Sequence, residues 1–379
     1  MRNVIEYQEV INFVDGILGP AFHQKQCLAI ANAVLGACHA DRLSIAAVGR
    51  AMAAVRRTSP KHAIKQVDRL LSNGKIDMAT AFGHLVPWIV GKRKRIDVVM
   101  DWTEYAADGH SRIAISLLTN HGRATPLVWL TVCTDELKNW RNVYEDFALD
   151  LLWQSLPPDV NVTLLADRGF GDVKLYEFLR KFGWDYVIRF RGVIEVQSAE
   201  GEVRRACDWV PTNGQPMHLP GARVTRRRIQ IGAVVCVHEP GMKDPWILAT
   251  SLPDPAPVII RLYGRRFTIE EGFRDEKDRR FGLGLSETTI EEPKRRDRLL
   301  LVGQLATLLL TLLGAAGEEI GLDRQLRANT ETHKRTHSLF RQGREYIAGV
   351  AQRALDSLRD AFQRLLVSHS NGALTHALL

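Results

Sequence analysis

IDVVMDWT at 96–103, SRIAISLL at 111–118 and TPLVWLTV at 125–132 are three short runs rich in β-branched and apolar residues. Polar turns separate them, AADGH at 106–110 and NHGRA at 120–124. Runs of this length between turn residues read as strands. Beyond them DELKNWRNVYEDFALDLLWQSL (135–156) has the three- and four-residue apolar spacing of a long helix. VTLLADRGF (162–170) is then a strand running into a turn, DVKLYEFLRKF (172–182) a second helix and WDYVIRF (184–190) a further strand. Three strands, helix, strand, helix, strand implies a mixed sheet covered by helices.

That succession is the order of the RNase H-like fold, expected here over 96–190 as the first part of an α/β domain. Residues 191–255 are strand-like again, with alternation in GARVTRRRIQIGAVVCVHEP and PWILATSL, and are expected to form a β-rich insertion. The sheet domain resumes over 256–320 with a charged helix and then an apolar one. Residues 321–379 read as a helical C-terminal region with basic patches at Lys334-Arg335 and Arg341.

Upstream, residues 1–95 read as a helical domain. Asp41 is the expected start of one helix, and Ser59-Pro60 supplies an N-cap and first-turn proline for the next. The helix from Pro60 would carry Lys61, His62, Lys65 and Arg69 on a basic face beside Ile64, Val67, Leu70 and Leu71. A short helix, a tight turn and a basic helix suit a helix-turn-helix reader of DNA. A solvated basic face on a small bundle suits the same residues.

The net charge of +8 is unevenly placed: residues 1–95 hold 14 Lys and Arg against 6 Asp and Glu, and the rest of the chain 37 of each. A basic excess confined to one module points to a polyanion held there. Cys27, Cys38, Cys133, Cys207 and Cys236 are scattered, without a Cys-x-x-Cys pair, which argues against a disulfide framework or zinc site and for a reducing cytoplasm. Residues 299–317 lack a charge over a length that could span a bilayer. Gln304, Thr307, Thr311 and three glycines within the run favour a buried core helix.

Candidate chemistry starts from RLYGRRFTIEEGFRDEKDRR (261–280). On a continuous α-helix Tyr263, Arg266, Glu270 and Lys277 fall within roughly 60° of one another. One carboxylate among a phenol and two cations suggests metal-assisted chemistry on a nucleic-acid backbone. Asp101 and Asp167 stand at the expected carboxyl ends of neighbouring strands, where ligands of α/β sheets collect. Asp97 shares a strand face with Asp101 and competes for the role, and each aspartate alone would serve as a turn or capping residue. Two carboxylates side by side repel unless a cation lies between them, and Glu270 would be a third ligand for hard ions such as Mg²⁺. His333 and His337 stand four apart but lack the glutamate of an HExxH zinc helix.

The chain resembles the DDE transposases of the bacterial insertion-sequence-four family, defined by a Y-(2)-R-(3)-E-(6)-K signature. Tyr263, Arg266, Glu270 and Lys277 match its intervals. DWT at 101–103 and ADRGF at 166–170 resemble the family's two aspartate motifs, and RDRLLLVGQLATLLLTLLG at 296–314 the apolar helix after the glutamate. The resemblance implies that Asp101, Asp167 and Glu270 are catalytic and bind two Mg²⁺ ions, with Mn²⁺ able to substitute. It implies that Tyr263, Arg266 and Lys277 contact DNA phosphates and that Trp246 holds a flipped base. It further implies cut-and-paste transposition through a hairpin intermediate, a homodimer bridging two element ends of double-stranded DNA, and a cytoplasmic protein. Two alternatives remain at this point: a metal-dependent nuclease that does not join strands, and a transposase-derived DNA-binding protein without chemistry. The presence of all three acids favours the active enzyme.

Overall fold

The computed structural model describes residues 4–171, 173–327, 330–331 and 335–370; His333 and Lys334 lie outside the described residues. Five helices come first: α1 (Tyr7–Leu18), α2 (Gln24–His39), α3 (Ile45–Arg56), α4 (Pro60–Leu71) and α5 (Met78–Val90). The start of α3 corrects the reading of Asp41: Ser44 is the N-cap, its hydroxyl accepting from the Ala47 N–H at 3.2 Å. A three-residue turn opened by Arg57 in the left-handed conformation (φ 54°) joins α3 to α4. The two helices touch closely at Gly49, where a Cβ would lie 2.6 Å from the Ile64 Cα. Only glycine fits that crossing.

The central sheet is built from β1 (Arg95–Tyr105), β2 (His110–Leu118), β3 (Ala124–Cys133), β4 (Asn161–Ala166) and β5 (Asp185–Arg189). Helix α6 (Arg141–Ser155) lies between β3 and β4, and α7 (Val173–Lys181) between β4 and β5. Strands β1, β2 and β3 form an antiparallel meander, while β1–β4 and β4–β5 are parallel. This mixed arrangement, with helices packed on it, is the RNase H-like architecture expected from the sequence.

The β-rich region between β5 and the signature segment contributes β6 (Glu195–Gln197), β7 (Val203–Arg205), β8 (Met217–Pro220), β9 (Arg223–Val224), β10 (Ile229–Gln230), β11 (Ala233–Val237) and β12 (Trp246–Thr250). It is not wholly separate from the central sheet. β12 pairs antiparallel with β5, so the sheet runs β3-β2-β1-β4-β5-β12-β11-β8, and the remaining four strands make a small second sheet.

The signature segment folds as α8 (Ala256–Gly264), a 3₁₀ turn (Arg265–Phe267) and α9 (Thr268–Lys277). The apolar run lies in α10 (Pro293–Glu319), which is long and apolar enough to cross a membrane but is buried almost throughout. It is covered by β3, α2, α11 (Leu339–Ala348) and α12 (Gln352–Ser370). Glycine makes the tightest crossing possible: a Cβ on Gly314 would meet the Leu339 carbonyl oxygen at 1.9 Å, and one on Gly343 the Leu310 carbonyl oxygen at the same distance.

The charged start of α10 is also interior. Arg296 is fully buried, pairs with buried Asp108, donates from Nε to His110 Nδ1 at 3.1 Å and lies 4.3 Å over the Tyr105 ring. Asp297 accepts from the Thr131 N–H at 3.1 Å. Burial pushes its carboxyl up to about 7.

Candidate functional site: an acidic cleft closed by an arginine

Parallel pairing of β1 with β4 places Met100 opposite Ala166. Asp101 and Asp167, the residues that follow this pair along the two strand directions, therefore emerge side by side. β1 does not end at Asp101 as the sequence suggested; it runs on to Tyr105, still paired with β2. Asp97 sits two pleat repeats earlier on the strand and pairs with Arg265 at 3.5 Å.

The third acid arrives on α9, with its geometry set by the turn before it. At Arg265–Phe267 the helix tightens to three residues per turn, so the signature residues do not share one α-helical stripe. Tyr263 is buried, its ring edge-on to Trp246 with centroids 5.0 Å apart. Trp246 is partly buried between Tyr263 and Phe267. Arg266 is turned inward and only 5% exposed. One nitrogen, Nη1, donates to Asp101 Oδ2 at 3.1 Å and the other, Nη2, to Glu270 Oε1 at 3.0 Å. Asp167 adds a longer-range attraction. The three acids are thus brought around one guanidinium.

The electrostatics follow from that contact. Burial raises the Asp101 carboxyl above its ordinary value, Arg266 and the Trp102 N–H pull it back, and the Asp167 and Glu270 charges raise it further. Burial alone would lower Arg266, but Tyr263 and the three acids hold it above its usual value. It stays a permanent cation among them.

An arginine in this position takes the oxygens that a divalent ion would need and adds repulsion against one. Among the described residues no group of three or more His, Cys, Asp or Glu side chains could hold a metal ion. The side chains therefore do not fit Mg²⁺ or Mn²⁺. This corrects the expectation that Asp101, Asp167 and Glu270 form a metal site, and with it that of an active DDE enzyme performing metal-dependent cleavage, hairpin formation and strand transfer. The acids were located from the sequence; their counter-ion is protein.

An open cleft of about 450 Å³ adjoins the acids, lined among others by Asp101, Trp102, Glu270, Arg274, Lys277 and Asp278. Lys277 donates to the Glu104 carbonyl at 2.6 Å and lies over the Tyr105 ring; burial, then the nearby Arg112, lowers its pKa. The far wall is braced by a group that sequence reading missed. Trp102 Nε1 donates to buried Glu145 at 2.8 Å, and Arg141 pairs with the same carboxylate while lying over the Trp102 ring. The Arg141–Glu145 spacing of four was the only local sign of it.

Lys61, Lys65 and Arg69 are exposed on one face of α4, as the sequence suggested. Arg69 shares a second open cavity, about 480 Å³, with Lys25 and Arg56 from α2 and α3.

A comparison with curated proteins gave no match. A family model described as the transposase DDE domain matches residues 132–308. This span includes Asp167, the signature segment and the first half of α10, but begins beyond Asp101. A transposase DDE domain is therefore present over that part of the chain.

Proposed function

We propose that this protein is a transposase-derived DNA-binding protein that neither cuts nor joins DNA itself. The observation carrying this reading is the Arg266 fork between Asp101 and Glu270, in a region matching the transposase DDE domain. An acid set neutralised by a buried arginine is a structural feature of the cleft floor rather than a seat for an ion. Binding to duplex DNA remains well supported by charge. The basic excess lies in residues 1–95, and α4 offers Lys61, Lys65 and Arg69 in a row. In this reading these three, with Lys277 and Arg274 at the cleft, face phosphates. Arg266 is engaged by acids and Tyr263 is enclosed.

The intervals from Tyr263 to Lys277 support a finer assignment of the DDE domain to the insertion-sequence-four type. The ligand is then the inverted repeats at the ends of such an element, held in the bacterial cytoplasm by two copies of the chain. The domain limits at 95, 190, 255 and 320 belong to the same proposal.

The test is a mobility-shift and product assay on duplexes carrying the inverted repeats that flank the gene, with Mg²⁺ or Mn²⁺ added. Retarded DNA without nicked, hairpin or joined products is expected. Any product lost on Asp101→Asn or Glu270→Gln substitution would overturn the reading.

A further inference from the structure

Just past α9 the chain makes a closed loop that holds one aromatic ring in solvent. Asp278 organises it: its Oδ1 accepts from the N–H groups of Arg280 (2.8 Å) and Phe281 (2.6 Å), and its carbonyl from those of Gly282 and Gly284. The Leu283 N–H returns to the Asp275 carbonyl at 2.8 Å. Gly282 permits the fold, since a Cβ there would lie 2.1 Å from that carbonyl oxygen. The outcome is Phe281, 50% exposed, on a loop with little freedom to withdraw it.

Two guanidiniums from separate elements flank the ring. Arg280 lies 5.0 Å from its centroid and Arg341, from α11, 5.3 Å. Arg341 also donates to the Arg280 carbonyl at 3.2 Å and is neutralised by Glu345. Among the described residues Arg280 makes no ion pair, so its charge is available to an incoming anion. Asp278 lines the acidic cleft with Arg274 and Lys277, so Phe281 stands at the rim of that cleft.

We infer that Phe281 and Arg280 form a binding site for an unpaired nucleotide, the ring stacking on the base and the guanidinium meeting its phosphate. An exposed, pre-positioned aromatic beside an uncompensated arginine has the two contacts single-stranded nucleic acid requires. The site rests on the DNA-binding reading above and adds to it a preference for DNA that is frayed, bulged or single-stranded where it passes the cleft. A second copy of the chain could also cover an exposed Phe, but the unpaired positive charge and the adjoining cleft favour a nucleotide.

The experiment uses the full chain and two probes, a blunt duplex and the same duplex with a single-stranded overhang carrying 2-aminopurine. The overhang probe is expected to bind more tightly. Phe281→Ala should weaken that probe about tenfold while leaving the blunt duplex within about twofold. Phe281→Trp should restore binding and quench the 2-aminopurine. Equal affinity for the two probes, or an equal loss on both in Phe281→Ala, would overturn this site alone. So would a Phe281→Ala variant whose only change is conversion of a dimer to a monomer in light scattering. Failure to bind either probe would remove this site and the DNA-binding reading together.

Discussion

Arg266 and Asp101 are 165 residues apart in the chain and 3.1 Å apart in the fold, nitrogen to oxygen. The arginine side chain is 6% exposed and the aspartate 22%, so each depends on the other to remain charged in the interior. Removing the cation strands the acids. Arg266→Ala is expected to lower unfolding free energy by on the order of 3 kcal/mol. Asp101→Asn, which keeps shape and a hydrogen-bonding oxygen, should cost only about 1–2 kcal/mol. Urea denaturation followed by circular dichroism measures both. Equal, negligible losses would mean the pair is no more than a surface contact.

DNA affinity should divide along the same lines. Lys61→Ala, Lys65→Ala and Arg69→Ala are each expected to weaken duplex binding, and each should reduce the slope of log K against log salt by about 0.9 for every phosphate left without its cation. Asp167→Asn and Glu270→Gln should leave affinity within about threefold. Fluorescence anisotropy across a salt series gives the slopes. An unchanged slope in all three variants would place the DNA elsewhere on the molecule.

Gly343→Ala places a methyl group where the Leu310 carbonyl oxygen already stands, at 1.9 Å from the new carbon. α10 and α11 must then separate. A loss of about 2–3 kcal/mol is expected from such overpacking, against the small gain alanine brings to an unconstrained helix. Thermal unfolding of the variant is the check; a raised melting temperature would contradict the close crossing.

Asp297 supplies a pH signature. Its carboxyl is raised from 3.8 to about 7 by burial, with Thr131, Arg112 and Arg296 acting in opposition. The folded state therefore holds a proton that the unfolded chain releases, and the stabilising contribution is complete below pH 4 and lost as pH rises through 7. Relative to Asp297→Asn, the parent protein should lose stability steadily between about pH 4 and pH 7. Parallel urea melts of the two proteins across that range read the difference. A difference that is constant with pH would show that Asp297 titrates normally.

The architecture was legible because its signals are local. IDVVMDWT, SRIAISLL and VTLLADRGF carry their own alternation and turns, and the β1–β4 register that aligns Asp101 with Asp167 follows from the order of strands and helices. The closure of the cleft was not legible. A continuous helix advances 100° per residue, whereas the 3₁₀ turn at Arg265–Phe267 advances about 120°, and that local tightening comes just as Arg266 is swung inward. The Arg266–Glu270 spacing of four registers one of its contacts, but nothing local registers the other, to Asp101. The Arg296–Asp108 pair was hidden for a different reason: EEPKRRDR looks like a solvated flank, and only the folding of the β1–β2 hairpin over α10 makes it interior.

The way β12 lies along β5 has a practical bearing on protein engineering. Residues 191–255 cannot be treated as a detachable cassette, because excising them would take away the neighbour that satisfies the backbone of Tyr186, Ile188 and Phe190. The truncated product would expose a raw hydrogen-bonding edge next to the strand that carries Asp167, an invitation to self-association. Shortened versions of this protein are therefore better made by cutting within the small second sheet, between β6 and β7, where the long sheet is left whole.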